Sequence, residues 1–238
     1  MNDSVWKSHK LVSRYLRGVR GAIPLAQTQI EVMLQLLATR RRPIRRFLDL
    51  GCGDGILGAA ILEAFPKASG LFVDFSKPML EACRARLARK HVTTLLLDYG
   101  NPGWIEEVLP QGPFDAIVSG YSIHHQPDKR KQSLYREIYR LLALNGWFVN
   151  LEHVASTSPI TKMLFDEQMV EGIHRRQPKL NCATVRRRYV NRADKTANIL
   201  APVERQCQWL RTIGFVDVDC YFKLYELAVF GGRKDRRG

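Results

Sequence analysis

The stretch 47–58 reads FLDLGCGDGILG, an apolar strand that runs into Gly51, Gly53 and Gly55 on alternate positions. Glycine adopts positive φ without strain and has no Cβ, so the chain can turn sharply here and a ligand can lie against the backbone. Asp49 adds a carboxylate two residues before the first glycine. The pattern predicts a strand-to-helix turn that binds a small molecule, whereas a tight turn without a ligand would leave three costly glycines unused.

The spacing of the glycines excludes two common phosphate-binding loops. A dinucleotide fingerprint requires G-x-G-x-x-G, and its third glycine position is occupied here by Ile56. A P-loop requires lysine followed by serine or threonine after the last glycine, but the chain continues Gly55, Ile56, Leu57. The remaining pattern, D-x-G-x-G-x-G, resembles motif I of the class I S-adenosylmethionine-dependent methyltransferases.

The resemblance implies that S-adenosylmethionine is the cofactor and S-adenosylhomocysteine the product. It also implies that the glycine loop lies against the amino acid and ribose portions of the cofactor, with Asp49 orienting the methionine ammonium. Cys52, inside the loop, is interpreted as a small filler rather than a nucleophile. The predicted cofactor-binding residues are Asp49, Gly51, Cys52, Gly53, Asp74, Phe75, Asp98, Tyr99 and Ser119.

Two further acids follow short apolar runs. Asp74 lies about twenty residues beyond the glycine loop, where a ribose-binding acid is expected. Ser76 and Pro78 supply an N-cap and a first-turn proline for the next helix, so the Asp74 carboxylate is predicted to be left for the ligand. The resemblance implies that Asp98 accepts a hydrogen bond from the adenine amino group and that Tyr99 offers a backbone or ring contact. A local turn is the alternative role of Asp98.

Strand-like and helix-like patterns alternate along the chain. Apolar runs without polar alternation are typical of a parallel sheet covered by helices on both faces. The short connection at Tyr225 and Glu226 forces the last two strands into an antiparallel pair. The helix with Leu134 and Leu141 is expected to end at Asn145 and Gly146 as its C-cap. The predicted strands begin at Phe47, Leu71, Thr93, Phe114, Trp147, Val216 and Leu227.

These patterns predict an α/β fold: a doubly wound, Rossmann-like seven-stranded methyltransferase sheet, mostly parallel with a C-terminal antiparallel hairpin. A single domain is expected over residues 1–238. It comprises an N-terminal helical cap (1–46), a nucleoside-binding core (47–155), a lid insertion (156–200), and a C-terminal helix and β-hairpin (201–238). A connection as long as 156–200 is typical of a binding element, so we expect it to order around the ligands.

Chemistry is expected where the strand order reverses, at the carboxyl ends of the strands. In the resembling family this reversal places Tyr121, His124 and His125 opposite the glycine loop. His124 is the candidate base, because an unperturbed imidazole titrates near neutrality. The alternative is that both histidines cap the next helix or close the pocket floor. The predicted catalytic residues are His124 and Tyr121, and the predicted acceptor-binding residues are Tyr15, His125, Glu152 and Arg188.

The composition limits the partners. The net charge of +14 invites a nucleic-acid interpretation, but its arginines form scattered clusters at 40–46, 175–176, 186–192 and 233–237. A small, anionic acceptor bound by a lid arginine is therefore preferred, with RNA as the alternative. We find no signal peptide or membrane-length apolar run, so a cytoplasmic protein is expected. Five cysteines without a C-x-x-C pair predict neither disulfides nor a metal site, and a homodimer is left open.

A looser similarity links the chain to the carboxy-S-adenosylmethionine synthase group. The shared order comprises a cap with Ile23 and Pro24, the LDLGCG loop, a long lid and the turn at Gly214 and Phe215. The tyrosine that this group carries after its cap proline is absent, since the chain continues with Leu25. An ordinary methyltransferase is therefore preferred, and a carboxy-S-adenosylmethionine synthase or a nucleoside-binding protein without methyl transfer remains the alternative.

Overall fold

The computed structural model describes residues 6–17, 20–87, 92–192, 195 and 197–235. The arginines Arg236 and Arg237 of the predicted tail cluster lie outside this range. Within it, no helix is both long and apolar enough to span a membrane.

The described residues form one seven-stranded sheet in the order β3-β2-β1-β4-β5-β7-β6. Neighbours among β1 to β5 pair in parallel, and β7 pairs antiparallel with both β5 and β6. The strand order reverses between β1 and β4, as expected. The predicted sheet and its C-terminal hairpin are thus confirmed. The strands are β1 Arg46–Leu50, β2 Ser69–Asp74, β3 Val92–Leu96, β4 Phe114–Gly120, β5 Leu142–His153, β6 Phe215–Leu224 and β7 Leu227–Lys234.

Helices cover both faces of the sheet, because neighbouring strand residues point to opposite sides. Phe47 packs with apolar residues of α2, α3 and α4, whereas Leu48 packs with those of α5, α6 and α9. Two buried clusters result, one on each face, as in a doubly wound fold. The helices are α1 His9–Arg17, α2 Ala26–Ala38, α3 Ile56–Ala64, α4 Lys77–Leu87, α5 Trp104–Val108, α6 Asp128–Leu141, α7 Pro159–Arg176, α8 Cys182–Val190 and α9 Val203–Ile213.

The segment predicted as a lid contains α7 and α8, which build a third apolar cluster above the carboxyl ends of the strands. Phe165, Met169 and Tyr189 pack there with Ala22 of the N-terminal segment and with Leu227 of the hairpin. The segments predicted as cap and lid are therefore in direct contact.

Gly172 marks the closest approach of α7 to the N-terminal segment. A Cβ at this position would lie 2.8 Å from the Ala22 carbonyl oxygen. Only glycine allows the helix to approach the backbone of residue 22 this closely.

The predicted end of α6 is wrong. The helix ends at Leu141, and β5 begins at Leu142 rather than after a C-cap at Asn145 and Gly146. Leu142 is paired with Phe114 of β4, and the register shifts between this pair and the next. Asn145 does adopt positive φ, at 60°, but it does so within the strand. Sheet pairing therefore overrides the local helix-ending signal.

Candidate active site

The glycine loop adopts the predicted left-handed conformation, with φ of 66°, 54° and 76° at Gly51, Gly53 and Gly55. Its first turn is held to β2, because the N–H of Gly51 donates to the Val73 carbonyl oxygen at 2.8 Å. A Cβ on Gly51 would overlap the Ser122 side chain across the crevice. The loop thus presents bare backbone to the space between the β1 and β4 ends.

Asp49 lies buried at the end of β1, at the mouth of this crevice. Its Oδ2 accepts a hydrogen bond of 2.9 Å from the N–H of Gly58 in the first turn of α3. This bond fixes the carboxylate between strand and helix while the residue lines the cavity described below. An anion held in this way is suited to meeting a cationic group such as an ammonium.

Asp74 ends β2 beside the loop, and its carboxylate accepts two backbone hydrogen bonds of 2.8 Å, from Gly53 and Ser76. Asp74 thus has backbone partners and also lines the cavity, and its role as a ribose-binding acid stays a prediction. Ser76 does cap α4, since its Oγ accepts from the N–H of Met79 at 3.4 Å. Burial raises the pKa of Asp74 to about 6, although the backbone donors act in the opposite direction.

A cavity of about 450 Å³ extends from the glycine loop to the underside of α7 and α8. It brings together residues that lie far apart in the sequence. The predicted site residues in its lining are Tyr15, Asp49, Gly51, Cys52, Gly53, Asp74, Phe75, Tyr121, His124 and His125. Asp98, Tyr99, Ser119, Glu152 and Arg188 lie outside the lining.

Three of the predicted residues outside the lining, Asp98, Tyr99 and Ser119, make hydrogen bonds within the protein. Asp98 accepts from the N–H of Gly100 at 2.7 Å, which is the alternative turn role. The Tyr99 hydroxyl is hydrogen-bonded to Ser122 Oγ at 2.6 Å. Ser119 Oγ donates to the Leu50 carbonyl oxygen at 2.7 Å and so joins β4 to β1.

His124 forms a buried pair with Glu152 at the centre of the cavity floor. The imidazole Nδ1 lies 2.6 Å from Glu152 Oε1, and the backbone N–H of His124 donates to Oε2 at 3.0 Å. Burial lowers the pKa of the His124 imidazole well below its ordinary value, and the nearby charges of His153 and Lys131 lower it further. Burial also raises the pKa of Glu152 to about 7, against hydrogen bonding from the backbone of His153.

The contact of 2.6 Å fits the tautomer in which His124 Nδ1 donates to Glu152. A neutral imidazole that donates through Nδ1 to the carboxylate leaves Nε2 with a lone pair. Glu152 therefore orients His124 rather than contacting a ligand in the cavity.

A second imidazole–carboxylate pair lies next to the first and was not predicted. His153 Nε2 lies 3.0 Å from Glu226 Oε2, at the turn between β6 and β7. The His153 ring is 5.7 Å from the His124 ring and 5.0 Å from the Phe165 ring of α7. Glu226 follows no motif in the sequence, and only the antiparallel pairing of β5 with β7 places it beside His153.

The far wall of the cavity carries cationic groups from the predicted lid. Arg192 lies over the Tyr189 ring at 5.0 Å, and Lys195 Nζ lies over the same ring at 3.9 Å. Arg176, at the end of α7, also lines the cavity. Arg188 is exposed on α8 instead. The predicted lid arginine thus lies four residues before Arg192, which follows the end of α8 at Val190.

The N-terminal segment supplies further lining residues that the sequence did not single out. Gln29 of α2 is fully buried, and its Oε1 accepts from the Tyr121 hydroxyl. Trp6 packs edge-on against Tyr15, with ring centroids 5.1 Å apart. Both contacts join residues from distant parts of the chain, so no local pattern reports them.

Comparison with known proteins agrees with this geometry. Residues 48–148 match a family described as methyltransferase domain. The chain is 35% identical over 83 residues to an uncharacterised methyltransferase of Mycobacterium tuberculosis, covering 35% of this chain and 39% of the relative. It is 32% identical over 124 residues to the ribosomal RNA small subunit methyltransferase C of Klebsiella pneumoniae, covering 51% of this chain and 34% of the relative.

A solved structure shows the same fold. Human N-acetylserotonin methyltransferase in complex with SAM superposes with a TM-score of 0.64 at 13% identity, covering 98% of this chain and 59% of that chain. The glycine loop and the carboxylates at the ends of β1 and β2 lie within the region matched by the family. Residues 48–148 thus match a methyltransferase domain, and the fold of the described chain is that of solved methyltransferases. The sequence alignments span less than half of both relatives' own length.

Proposed function

We propose that the protein transfers the methyl group of S-adenosylmethionine to a small, anionic acceptor enclosed beneath α7 and α8. The observation that carries the proposal is the single cavity, which joins Asp49 and Asp74 at one end to His124 and the lid cations at the other. The residues at the first end suit this cofactor. Asp49 offers a carboxylate for an ammonium, and the backbone of Gly51 and Gly53 lines the same end of the cavity.

S-adenosylmethionine, when bound, supplies a methyl group already activated by a sulfonium, so the protein must mainly position the acceptor and exclude water. In the proposed transfer, the acceptor's lone pair forms the new bond to the methyl carbon. The sulfur–carbon bond breaks, and the electron pair of that bond stays on sulfur. His124 Nε2 takes the proton that an O–H or N–H acceptor loses. Glu152 holds the ring through Nδ1 and stabilises the imidazolium that forms.

The acceptor end combines an apolar wall with cations. Phe165 and Met169 form the wall, and Arg176, Arg192 and Lys195 supply the positive charge. An anionic group on the acceptor would pair with these cations in a partly desolvated site. This supports a small acid or phosphate ester as acceptor.

RNA is the second candidate, because the Klebsiella relative carries the name of a ribosomal RNA methyltransferase. The basic cluster of residues 40–46 does not favour this candidate. Arg46 begins β1, and Arg45 and Arg46 donate backbone hydrogen bonds to Asp115 at the start of β4. The amino ends of the strands lie opposite the carboxyl ends where the cavity opens, so this cluster is not at the proposed site of methyl transfer.

The test is methyl transfer from labelled donor, offered in parallel to bulk RNA and to a low-molecular-weight extract. We expect label in the small-molecule fraction, carried by acidic compounds. Label in RNA alone, with affinity that falls steeply with salt, would reverse the preference. A modified nucleoside that accumulates without labelled acceptor would instead favour a carboxy-S-adenosylmethionine synthase-like reaction.

A further inference from the structure

The indole N–H of Trp6 is a buried hydrogen-bond donor facing the cofactor end of the cavity. Trp6 lines the cavity, and its Nε1 has no hydrogen-bond partner among the residues that the structure describes. Buried polar groups in proteins are nearly always paired, and an unpaired one costs free energy. Because this donor borders a ligand cavity, the missing acceptor is expected on the ligand.

The backbone of Trp6 is tied to the corner of the site that holds the predicted ribose-binding acid. Ser76 Oγ donates to the Trp6 carbonyl oxygen at 2.6 Å, and Ser76 N–H donates to Asp74 Oδ1. The Trp6 ring lies 5.1 Å from Tyr15 and 6.0 Å from His125. Trp6 therefore stands between the end of β2 and the histidines that follow β4.

We infer that Trp6 is a cofactor-binding residue, whose Nε1–H donates to an oxygen or ring-nitrogen acceptor on the nucleoside part of S-adenosylmethionine. The inference rests on the proposed cofactor and adds a residue from outside the glycine-loop core. It assigns part of the nucleoside site to the N-terminal segment. The same hydrogen bond would stabilise the position of that segment when the cofactor is bound.

The inference predicts opposite effects of one substitution on the free and the bound protein. Trp6→Phe removes the donor and keeps an aromatic ring. Without ligand, the variant should unfold at the same temperature or a higher one. A buried donor without a partner costs free energy in the folded state, and the substitution removes that donor. With S-adenosylhomocysteine, it should bind about tenfold more weakly, as expected for one lost hydrogen bond to a buried acceptor.

The experiment is calorimetric titration with S-adenosylhomocysteine and with adenosine, together with thermal unfolding of the ligand-free proteins. Trp209→Phe is the matched control, since Trp209 packs on the core beneath Arg205 and lies outside the cavity lining. The control should bind both ligands like the wild type. Tryptophan emission should respond to S-adenosylhomocysteine in the wild type and in the control, but not in Trp6→Phe.

Three outcomes would overturn the inference. The first is an affinity of Trp6→Phe within twofold of wild type. The second is a drop in both ligand-free stability and affinity, which would mean that Trp6 contributes packing only. The third is a loss of affinity for S-adenosylhomocysteine without a loss for adenosine. A wild-type protein that binds neither nucleoside is distinguishable from all three, because it contradicts the proposed function before any variant is made.

Discussion

The two ends of the cavity are built in different ways. The cofactor end consists of backbone and carboxylates at successive strand ends, as at Gly53 and Asp74, which are joined by a 2.8 Å hydrogen bond. The proposed acceptor end consists of side chains from separate segments, such as His124, Phe165 and Arg192. A site of main-chain groups is fixed once the sheet has formed, whereas a site of long side chains depends on how α7 and α8 pack. We infer from this difference that the sheet determines which cofactor binds, whereas α7 and α8 determine which acceptor binds.

Among the substitutions considered, His124→Ala is expected to show the largest difference between its effect on turnover and its effect on cofactor affinity. Loss of a general base lowers turnover by about 100- to 10,000-fold. S-adenosylhomocysteine affinity should stay within about threefold, because the residue belongs to the acceptor end. Single-turnover kinetics and calorimetry measure the two quantities, and His9→Ala, at an exposed residue of α1, is the control. Unchanged turnover would show that positioning alone drives the reaction.

The buried carboxyl groups of Asp74 and Glu152 each contribute stability that falls as pH rises, opposite in sign to the contribution of the buried His124 imidazole, whose pKa is lowered. The folded-state pKa values, about 6 for Asp74 and about 7 for Glu152, lie above the ordinary values of 3.8 and 4.5. The folded state therefore holds more protons than the unfolded state in this range, so this stabilisation is complete below about pH 4 and lost as pH rises through 6 to 7. For Glu152 the change is roughly 3 kcal/mol, at about 1.4 kcal/mol per pKa unit.

Denaturant unfolding between pH 4 and 8 measures how the free energy of unfolding depends on pH. Variants of the two carboxyl groups assign each component of this dependence to one residue. Asp74→Asn should remove the component near pH 6, and Glu152→Gln the component near pH 7. Curves of wild type and both variants that run parallel would contradict the assignment.

At the cofactor end, Asp74→Asn should weaken S-adenosylhomocysteine binding about 10- to 100-fold, the range for a lost hydrogen bond to a charged group. Asp98→Asn is the comparison, because Asp98 makes the same kind of backbone bond but lies outside the cavity lining. We expect a smaller loss for Asp98→Asn. Equal losses in calorimetry would support the predicted adenine contact of Asp98.

At the acceptor end, Arg192→Ala should raise the KM for an anionic acceptor about tenfold, because a charge-assisted contact is lost. Its control is Arg188→Ala on the exposed side of α8. Neither substitution should alter S-adenosylhomocysteine affinity. Steady-state kinetics with both substrates varied would decide, and a larger effect at Arg188 than at Arg192 would restore the original sequence prediction.

The contrast between the ends also explains what the sequence could predict. Gly51, Asp49 and Asp74 stand at fixed offsets from apolar strands, so a local pattern identifies the fold and places all three in the cavity. Glu226 and Trp6 have no such offset. Strand pairing across the hairpin brings Glu226 to His153, and a bond between Ser76 and the Trp6 carbonyl brings the N-terminus to β2.

The end of α8 explains the remaining difference between Arg188 and Arg192, because the helix ends at Val190 and Arg192 lies beyond it. Only the packing of Tyr189 into the apolar cluster decides which side of α8 faces inward. The end of α6 was mispredicted for a related reason, because β4 pairs with Leu142 before the chain reaches Asn145.

The close contact between Gly172 and the Ala22 carbonyl has a kinetic consequence. The N-terminal segment touches α7 at residue 22 and the cofactor end at Trp6, so it spans both compartments of the cavity. We propose that exchange of spent cofactor for fresh donor displaces this segment, which also borders the proposed acceptor end of the cavity. We expect any acceptor with several methylation positions to be modified distributively, with singly methylated product released into solution before a second methyl group is added.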